Sequence, residues 1–275
     1  MNEIVTAVVI VAVIGLICGV VLAAASHFMD VPTDEKFTLA RECLPGANCG
    51  ACGYTGCDGY ANALAKGETT ATNLCVPGGD SAALAISKAL GLAYAGVEEK
   101  VAYVHCNGNC DETRDRALYT GIQNCSSASL IYGGPKACVY GCLGFGDCAL
   151  KCPEGAICVT SGIAKIDMTK CIGCGICVKT CPKHIISLIP VTAVTAVECS
   201  SADPGAVTRK TCENGCIGCK KCEKECPVSA ITVNGNLAKI DYSVCTRCGK
   251  CAAVCPVGAL KDVNFNLSYG AKKAL

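Results

Sequence analysis

Twenty-eight of the 275 residues are cysteine, and their spacing is the feature of this sequence that could do chemistry. Three stretches fit C-x2-C-x2-C-x3-C-P: CIGCGICVKTCP (Cys171, Cys174, Cys177, Cys181), CIGCKKCEKECP (Cys216, Cys219, Cys222, Cys226) and CTRCGKCAAVCP (Cys245, Cys248, Cys251, Cys255). In such a run three thiolates on one tight loop wrap a [4Fe–4S] cubane, and the fourth, before the proline, reaches a neighbouring cluster, so the runs work in pairs. Tetrahedral zinc sites use two ligand pairs set apart, which does not match. A fourth group, Cys49, Cys52 and Cys57 in ANCGACGYTGC with Cys75 downstream, also offers four thiolates, with a zinc knuckle as the rival reading.

The stretch CVYGCLGFGDCALKCP, from Cys138 to Cys152, is a near match with Phe145 where a cysteine is expected. Residues 125–182 shifted by 74 fall on 199–256 without a gap, with 25 of 58 identical, so a two-cluster module is duplicated. The shift carries Cys138, Cys142, Cys148 and Cys152 onto Cys212, Cys216, Cys222 and Cys226, and Phe145 onto Cys219. By the pairing rule, Cys255 completes the cluster of Cys216, Cys219 and Cys222, and Cys226 completes that of Cys245, Cys248 and Cys251. Likewise Cys152 completes Cys171, Cys174 and Cys177. Cys142, Cys148 and Cys181 are then one thiolate short, and Cys138 is the expected replacement; a cluster lacking one ligand or a three-iron form is the alternative. A sixth cluster is expected on Cys106, Cys110 and Cys125 with Cys199 or Cys212. Six four-thiolate clusters would take 24 of the 28 cysteines. Cys158 is read as structural, Cys18 as a small apolar residue of the span and Cys43 as a leftover, and the scattered His27, His105 and His184 as structural or exposed.

These loops need elements to position them. AICVTSGIAKID and AITVNGNLAKID alternate as short strands, KVAYVHC reads as another, and the cysteine loops lead into short helices. SAALAISKALGL predicts a helix with Ser81 as N-cap and Gly91 as its stop. With no Trp and only four Phe, the chain has little bulky apolar volume and must draw stability from bound metal. Ile4 to Ala25 is uncharged and, at about 1.5 Å per residue, long enough to cross a hydrocarbon core of roughly 30 Å. No cation precedes it, which disfavours a signal peptide, and Lys36 and Arg41 follow it. Cluster thiolates also need a reducing compartment, so the cysteine domains are expected on the cytoplasmic side of a single-pass membrane anchor. The reading is an α+β chain: transmembrane anchor 1–28, N-terminal [4Fe–4S] domain 29–95, first ferredoxin-like module with an extra cysteine segment 96–198, second module 199–275.

No dinucleotide fingerprint, Walker loop or zincin motif is present, and no nucleic-acid signature. Cubanes move single electrons whereas a nicotinamide takes a hydride, so this chain conducts rather than makes bonds. The membrane span, LPGANCGACGYTGC with Cys75 in CVPGG, GGPKACVYGCLGFGDC and the ferredoxin runs together resemble the B subunit of Rnf complexes, ion-translocating ferredoxin:NAD+ oxidoreductases. The resemblance implies electron exchange with soluble ferredoxin and with membrane subunits of a hetero-oligomeric complex, with flavin and NAD bound elsewhere. An Rsx-type regulator-reducing system, or the electron-input subunit of another membrane reductase or hydrogenase, would look similar. Residues 1–198 hold 13 Lys/Arg against 17 Asp/Glu, and 199–275 hold 11 against 6. Lys220, Lys221, Lys224, Arg247 and Lys250 interleave with the second module's cysteines and form the expected face for an acidic ferredoxin.

Overall fold

The computed structural model describes the backbone of residues 2–28 and 34–263, and side chains within 5–24 and 34–263; Lys272, Lys273 and the His27 side chain lie outside it. Helix α1 (Asn2–Phe28) carries a 20-residue apolar stretch, Val5–Ala24, with mean hydropathy 3.1 and no residue of it buried in the protein. Apolar side chains such as Leu16 and Leu22 are 70% exposed on the isolated chain, the surface expected of a helix long and apolar enough to cross a membrane.

Three helices follow. Helix α2 (Glu35–Glu42) starts at Asp34, whose Oδ1 accepts the Lys36 N–H at 3.0 Å. Helix α3 is Cys57–Ala65 and α4 is Gly79–Leu90. The last begins before the expected Ser81 cap: Gly78 occupies the cap, and Ser81 Oγ donates to the Gly78 carbonyl within the first turn. It ends at Gly91 in the left-handed region, as the sequence indicated. Ala40, Tyr60, Leu64 and Ile86 pack these helices together, with Cys57 and Cys75 inside the same core.

The first module comprises β1 (Lys100–Val104), α5 (Cys125–Ser129), α6 (Asp147–Leu150), β2 (Ile157–Thr160), β3 (Ile163–Ile166), α7 (Ile176–Thr180) and β4 (Ile186–Pro190). The second comprises β5 (Thr195–Val197), α8 (Gly205–Thr211), α9 (Lys221–Glu225), β6 (Ile231–Asn234), β7 (Leu237–Ile240), α10 (Lys250–Ala253) and β8 (Leu260–Asp262). All strands pair antiparallel in two-stranded sheets: β1 with β4, β2 with β3, β5 with β8 and β6 with β7. The two stretches expected to be short strands each fold back as a hairpin, in equivalent registers, Ile157 opposite Ile166 and Ile231 opposite Ile240. β5 precedes residue 199 yet pairs with β8, so in space the second unit begins at β5.

The outer strands extend the duplication beyond the gapless match. The His105 N–H donates to Ile185 O at 2.7 Å and the Glu198 N–H to Ala259 O at 2.8 Å. Ile185 and Ala259 are 74 residues apart, whereas His105 and Glu198 are 93 apart, so the first module carries 19 additional residues after β1. The two cores, around Val101, Ile186 and Ile189 and around Ile231, Val233 and Leu260, are small and include cysteines as packing residues.

Candidate metal centres

The N-terminal group is built by one loop and two helix starts. Cys57 opens α3, where Asn48 Oδ1 accepts its N–H at 2.9 Å, and Cys75 lies just before α4. Burial, then the neighbouring Cys57, Cys49 and Cys52 sulfurs, push the Cys75 thiol above its ordinary range. A Cβ on Gly78 would meet Ala82 Cβ at 2.6 Å and Cys75 Sγ at 3.1 Å, so only glycine lets the backbone pass this close to the thiol.

In the first module Cys152, Cys171, Cys174 and Cys177 line one cavity, as the pairing rule requires. Burial, then Cys171 and Cys174, push the Cys177 thiol up to about 12. The Ala102 N–H in β1 approaches Cys171 Sγ at 3.4 Å. Cys142, Cys148 and Cys181 line a second cavity, but the thiol that joins them is Cys125 and not the expected Cys138. Burial, then Cys142, Cys125 and Cys181, push Cys148 up to about 12. The reason for the difference is local. Helix α5 carries Cys125 against Leu143 and Phe145, and the Phe145 backbone N–H donates to the Cys125 sulfur. The Phe145 side chain packs on Tyr119, ring centroids 5.6 Å apart.

Cys138 instead lines a cavity with Cys106, Cys199 and Cys212. Of the group expected to form a sixth site, Cys110 and Cys125 are thus absent from it. Cys110 is exposed beside Gly162 and Lys136. Cys106 and Cys199 each stand two residues after an equivalent strand, β1 and β5. Each also accepts an N–H from the first cysteine of its own run: Cys142 to Cys106 at 3.4 Å, and Cys216 to Cys199. Cys138 and Cys212 are partners under the 74-residue shift. The junction therefore takes one equivalent pair of thiols from each module. Burial, then Cys106, Cys138 and Cys199, push Cys212 up to about 11. His105 ties the modules together beside it, donating from Nδ1 to Val197 O and accepting from Ser187 Oγ at Nε2, both at 2.6 Å. Burial lowers its pKa, which suits the structural role expected of it.

In the second module Cys222 neighbours Cys216, Cys219 and Cys255, and burial followed by those thiols pushes it up to about 11. Cys251 neighbours Cys245, and Cys226 packs in the same core; Cys248 lies on the exposed rim of that loop. Cys226 Sγ accepts the Ala230 N–H at 3.2 Å, as Cys152 accepts the Ala156 N–H at 3.3 Å in the first module.

Successive groups lie close enough to influence one another electrostatically. Cys49 neighbours Cys174, Cys177 neighbours Cys148, Cys106 neighbours Cys142, and Cys199 neighbours Cys216. Several facts fit a cluster in these cages. Crowded thiols that cannot all ionise alone call for a shared cation, and sulfurs already facing backbone N–H groups suit thiolate ligands. In three of the groups the thiols ring cavities.

Cysteine loops opening short helices beside antiparallel hairpins, repeated in tandem behind a small four-cysteine domain, define a ferredoxin-type iron–sulfur protein. Family models agree: an Fe–S cluster family matches residues 44–77, a 4Fe–4S binding domain 164–187 and a 4Fe–4S dicluster domain 215–259. The chain is 45% identical over 246 residues to the B subunit of the proton-translocating ferredoxin:NAD(+) oxidoreductase complex of Clostridium ljungdahlii, covering 89% of this chain and 87% of the relative. It is 42% identical to the Na(+)-translocating counterpart of Acetobacterium woodii (89% and 74%) and 36% identical to the B subunit of the ion-translocating oxidoreductase complex of Methanosarcina acetivorans (89% and 93%). The chain belongs to this family, the B subunits of Rnf-type ion-translocating ferredoxin:NAD+ oxidoreductases.

Proposed function

We propose that this subunit conducts single electrons through six [4Fe–4S] clusters in a row, between a soluble ferredoxin at its second module and the membrane subunits of its complex. The ligand sets are Cys49, Cys52, Cys57 and Cys75; Cys152, Cys171, Cys174 and Cys177; Cys125, Cys142, Cys148 and Cys181; Cys106, Cys138, Cys199 and Cys212; Cys216, Cys219, Cys222 and Cys255; and Cys226, Cys245, Cys248 and Cys251. The observation that carries the reading is that thiols of successive groups share one core in each module, Cys142 and Cys148 with Cys171 and Cys177, and Cys216 and Cys222 with Cys226 and Cys251, while the Cys142 and Cys216 N–H groups join both cores to the junction thiols. Each cubane supplies one-electron redox chemistry when bound; the chain's own residues hold it, shield it and direct N–H groups at its sulfurs, which sets its potential.

Exposure supports entry at the second module. Cys174 is buried, and its loop presses so closely on β1 that a Cβ on Gly173 would lie 2.3 Å from Lys100 O. The equivalent loop exposes Cys248 and bears Arg247 at that position, with φ +62. Lys220, φ +59, replaces Gly146 in the same way. Both side chains are exposed, so these loops leave room for a long side chain that the packed Gly173 loop does not. Lys220, Lys221, Lys224, Arg247 and Lys250 are all exposed, against Glu223 and Glu225 on the same short helix. Such a face attracts an acidic redox protein mainly by raising its encounter rate. Helix α1 anchors the chain, and the cations that follow it, with the need for reduced thiols, support a cytoplasmic position for the clusters.

The test is anaerobic reduction of the full chain by ferredoxin, followed by visible absorption. Bleaching equivalent to all the clusters present is expected. Reduction by dithionite but none by ferredoxin would contradict the proposed entry.

A further inference from the structure

We propose that Asp147 is a positioning residue that aims Cys125 into the cluster cavity, and that the exchanges Cys219/Phe145 and Lys221/Asp147 between the two modules form one coupled change. The proposal rests on the assignment of Cys125 as a ligand and deepens it. Asp147 directly precedes Cys148, and its carboxylate reaches across to α5. Oδ1 accepts the Cys125 N–H at 2.9 Å, and Oδ2 accepts the Ser126 N–H and hydroxyl, both at 3.1 Å. With Asn124 accepting the Ser127 N–H at 2.6 Å, the free amides of that helix start are satisfied, and the thiol is held above the Cys148 loop.

The second module lacks the carboxylate, and its matching segment, residues 199–203, forms no helix. Lys221 occupies the position of Asp147 and has no acceptor. The matching CSSA segment is tied elsewhere: Ser200 Oγ donates to His105 O at 2.8 Å, and Ser201 Oγ lies 3.3 Å from Thr208 Oγ1. Cys199, two residues after β5 as Cys106 is after β1, serves the junction, and Cys219 fills the loop position itself. Loss of the loop thiol at Phe145 is thus matched by a carboxylate that recruits a distant one.

The experiment compares iron, acid-labile sulfide and electron paramagnetic resonance of the full chain, purified anaerobically, for Cys125→Ser, Asp147→Ala, Phe145→Cys with Asp147→Ala, and Phe145→Cys with Cys125→Ser. Asp147→Ala should lose one to about four iron per chain, by conversion to a three-iron form or loss of one cubane. Phe145→Cys should restore the full content and the cubane signal in both backgrounds, because a loop thiol no longer needs Cys125 to be aimed. If Asp147→Ala keeps all its iron and an unchanged signal while Cys125→Ser loses iron, Asp147 does not position the thiol. The positioning role fails equally if Phe145→Cys rescues Cys125→Ser but not Asp147→Ala. If Cys125→Ser itself loses nothing, the ligand assignment fails first.

Discussion

Lys179 Nζ donates to the Cys49 carbonyl oxygen at 3.1 Å, joining the end of α7 in the first module to the first cysteine loop of the N-terminal domain. The bond fixes the place where Cys49 meets Cys174. Lys179→Ala should leave the iron content unchanged but loosen this contact. Exposed hydrogen bonds of this kind contribute about 1 kcal/mol, so hydrogen exchange near Gly50 should quicken by up to about tenfold, and reduction of the N-terminal cluster should lag behind the others. Unchanged exchange and unchanged kinetics would show that the contact does not couple the domains.

The junction site predicts a break in the middle of the conductor. Cys212→Ala should lose about four iron per chain and leave the second module reducible by ferredoxin while the N-terminal cluster stays oxidised. Cys110→Ala and Cys158→Ala, both exposed thiols outside the four-thiol groups, should lose none. Equal loss from Cys110→Ala and Cys212→Ala would overturn the junction set.

The parts of this architecture legible in the sequence were those set by local spacing. The tight runs, the Phe145 anomaly, the short strands and the Gly91 stop all depend on residues within a turn or two of each other. The thiols that meet across the chain were less legible. The 74-residue shift aligned Cys125 with Cys199 because both begin CSSA, and that match hid the true equivalence of Cys106 with Cys199. The 19 additional residues after β1 broke the register that would have revealed it. Comparing YVHC with AVEC, each a strand end followed two residues later by cysteine, is the signal that could have found the junction site. The exchange of Asp147 for Lys221 was visible as a charge difference, but only the hydrogen bonds to Cys125 and Ser126 give it a purpose.

Entry at the second module is testable through salt. The Lys220→Gln, Lys221→Gln, Lys224→Gln variant should slow ferredoxin-dependent reduction at low ionic strength and flatten its salt dependence, with iron unchanged. Exposed charges act over about 10 Å at 0.1 M salt, so the difference should shrink as salt rises. A full rate in this variant, with slowing instead from a change at Lys151, would move the entry to the first module.

The membrane anchor makes a separate prediction. A chain lacking residues 1–28 should be coloured and remain in the supernatant, since the cysteine domains pack their own cores without α1. Pelleting of that truncated chain with membranes free of partner subunits would refute the anchor.

Iron and acid-labile sulfide per chain, measured on the anaerobically purified full-length protein, test the six-cluster account most directly. About 24 of each per chain is the result predicted for six cubanes. A value near 20 would remove one cluster from the row and interrupt it, and zinc without sulfide would contradict the conductor altogether.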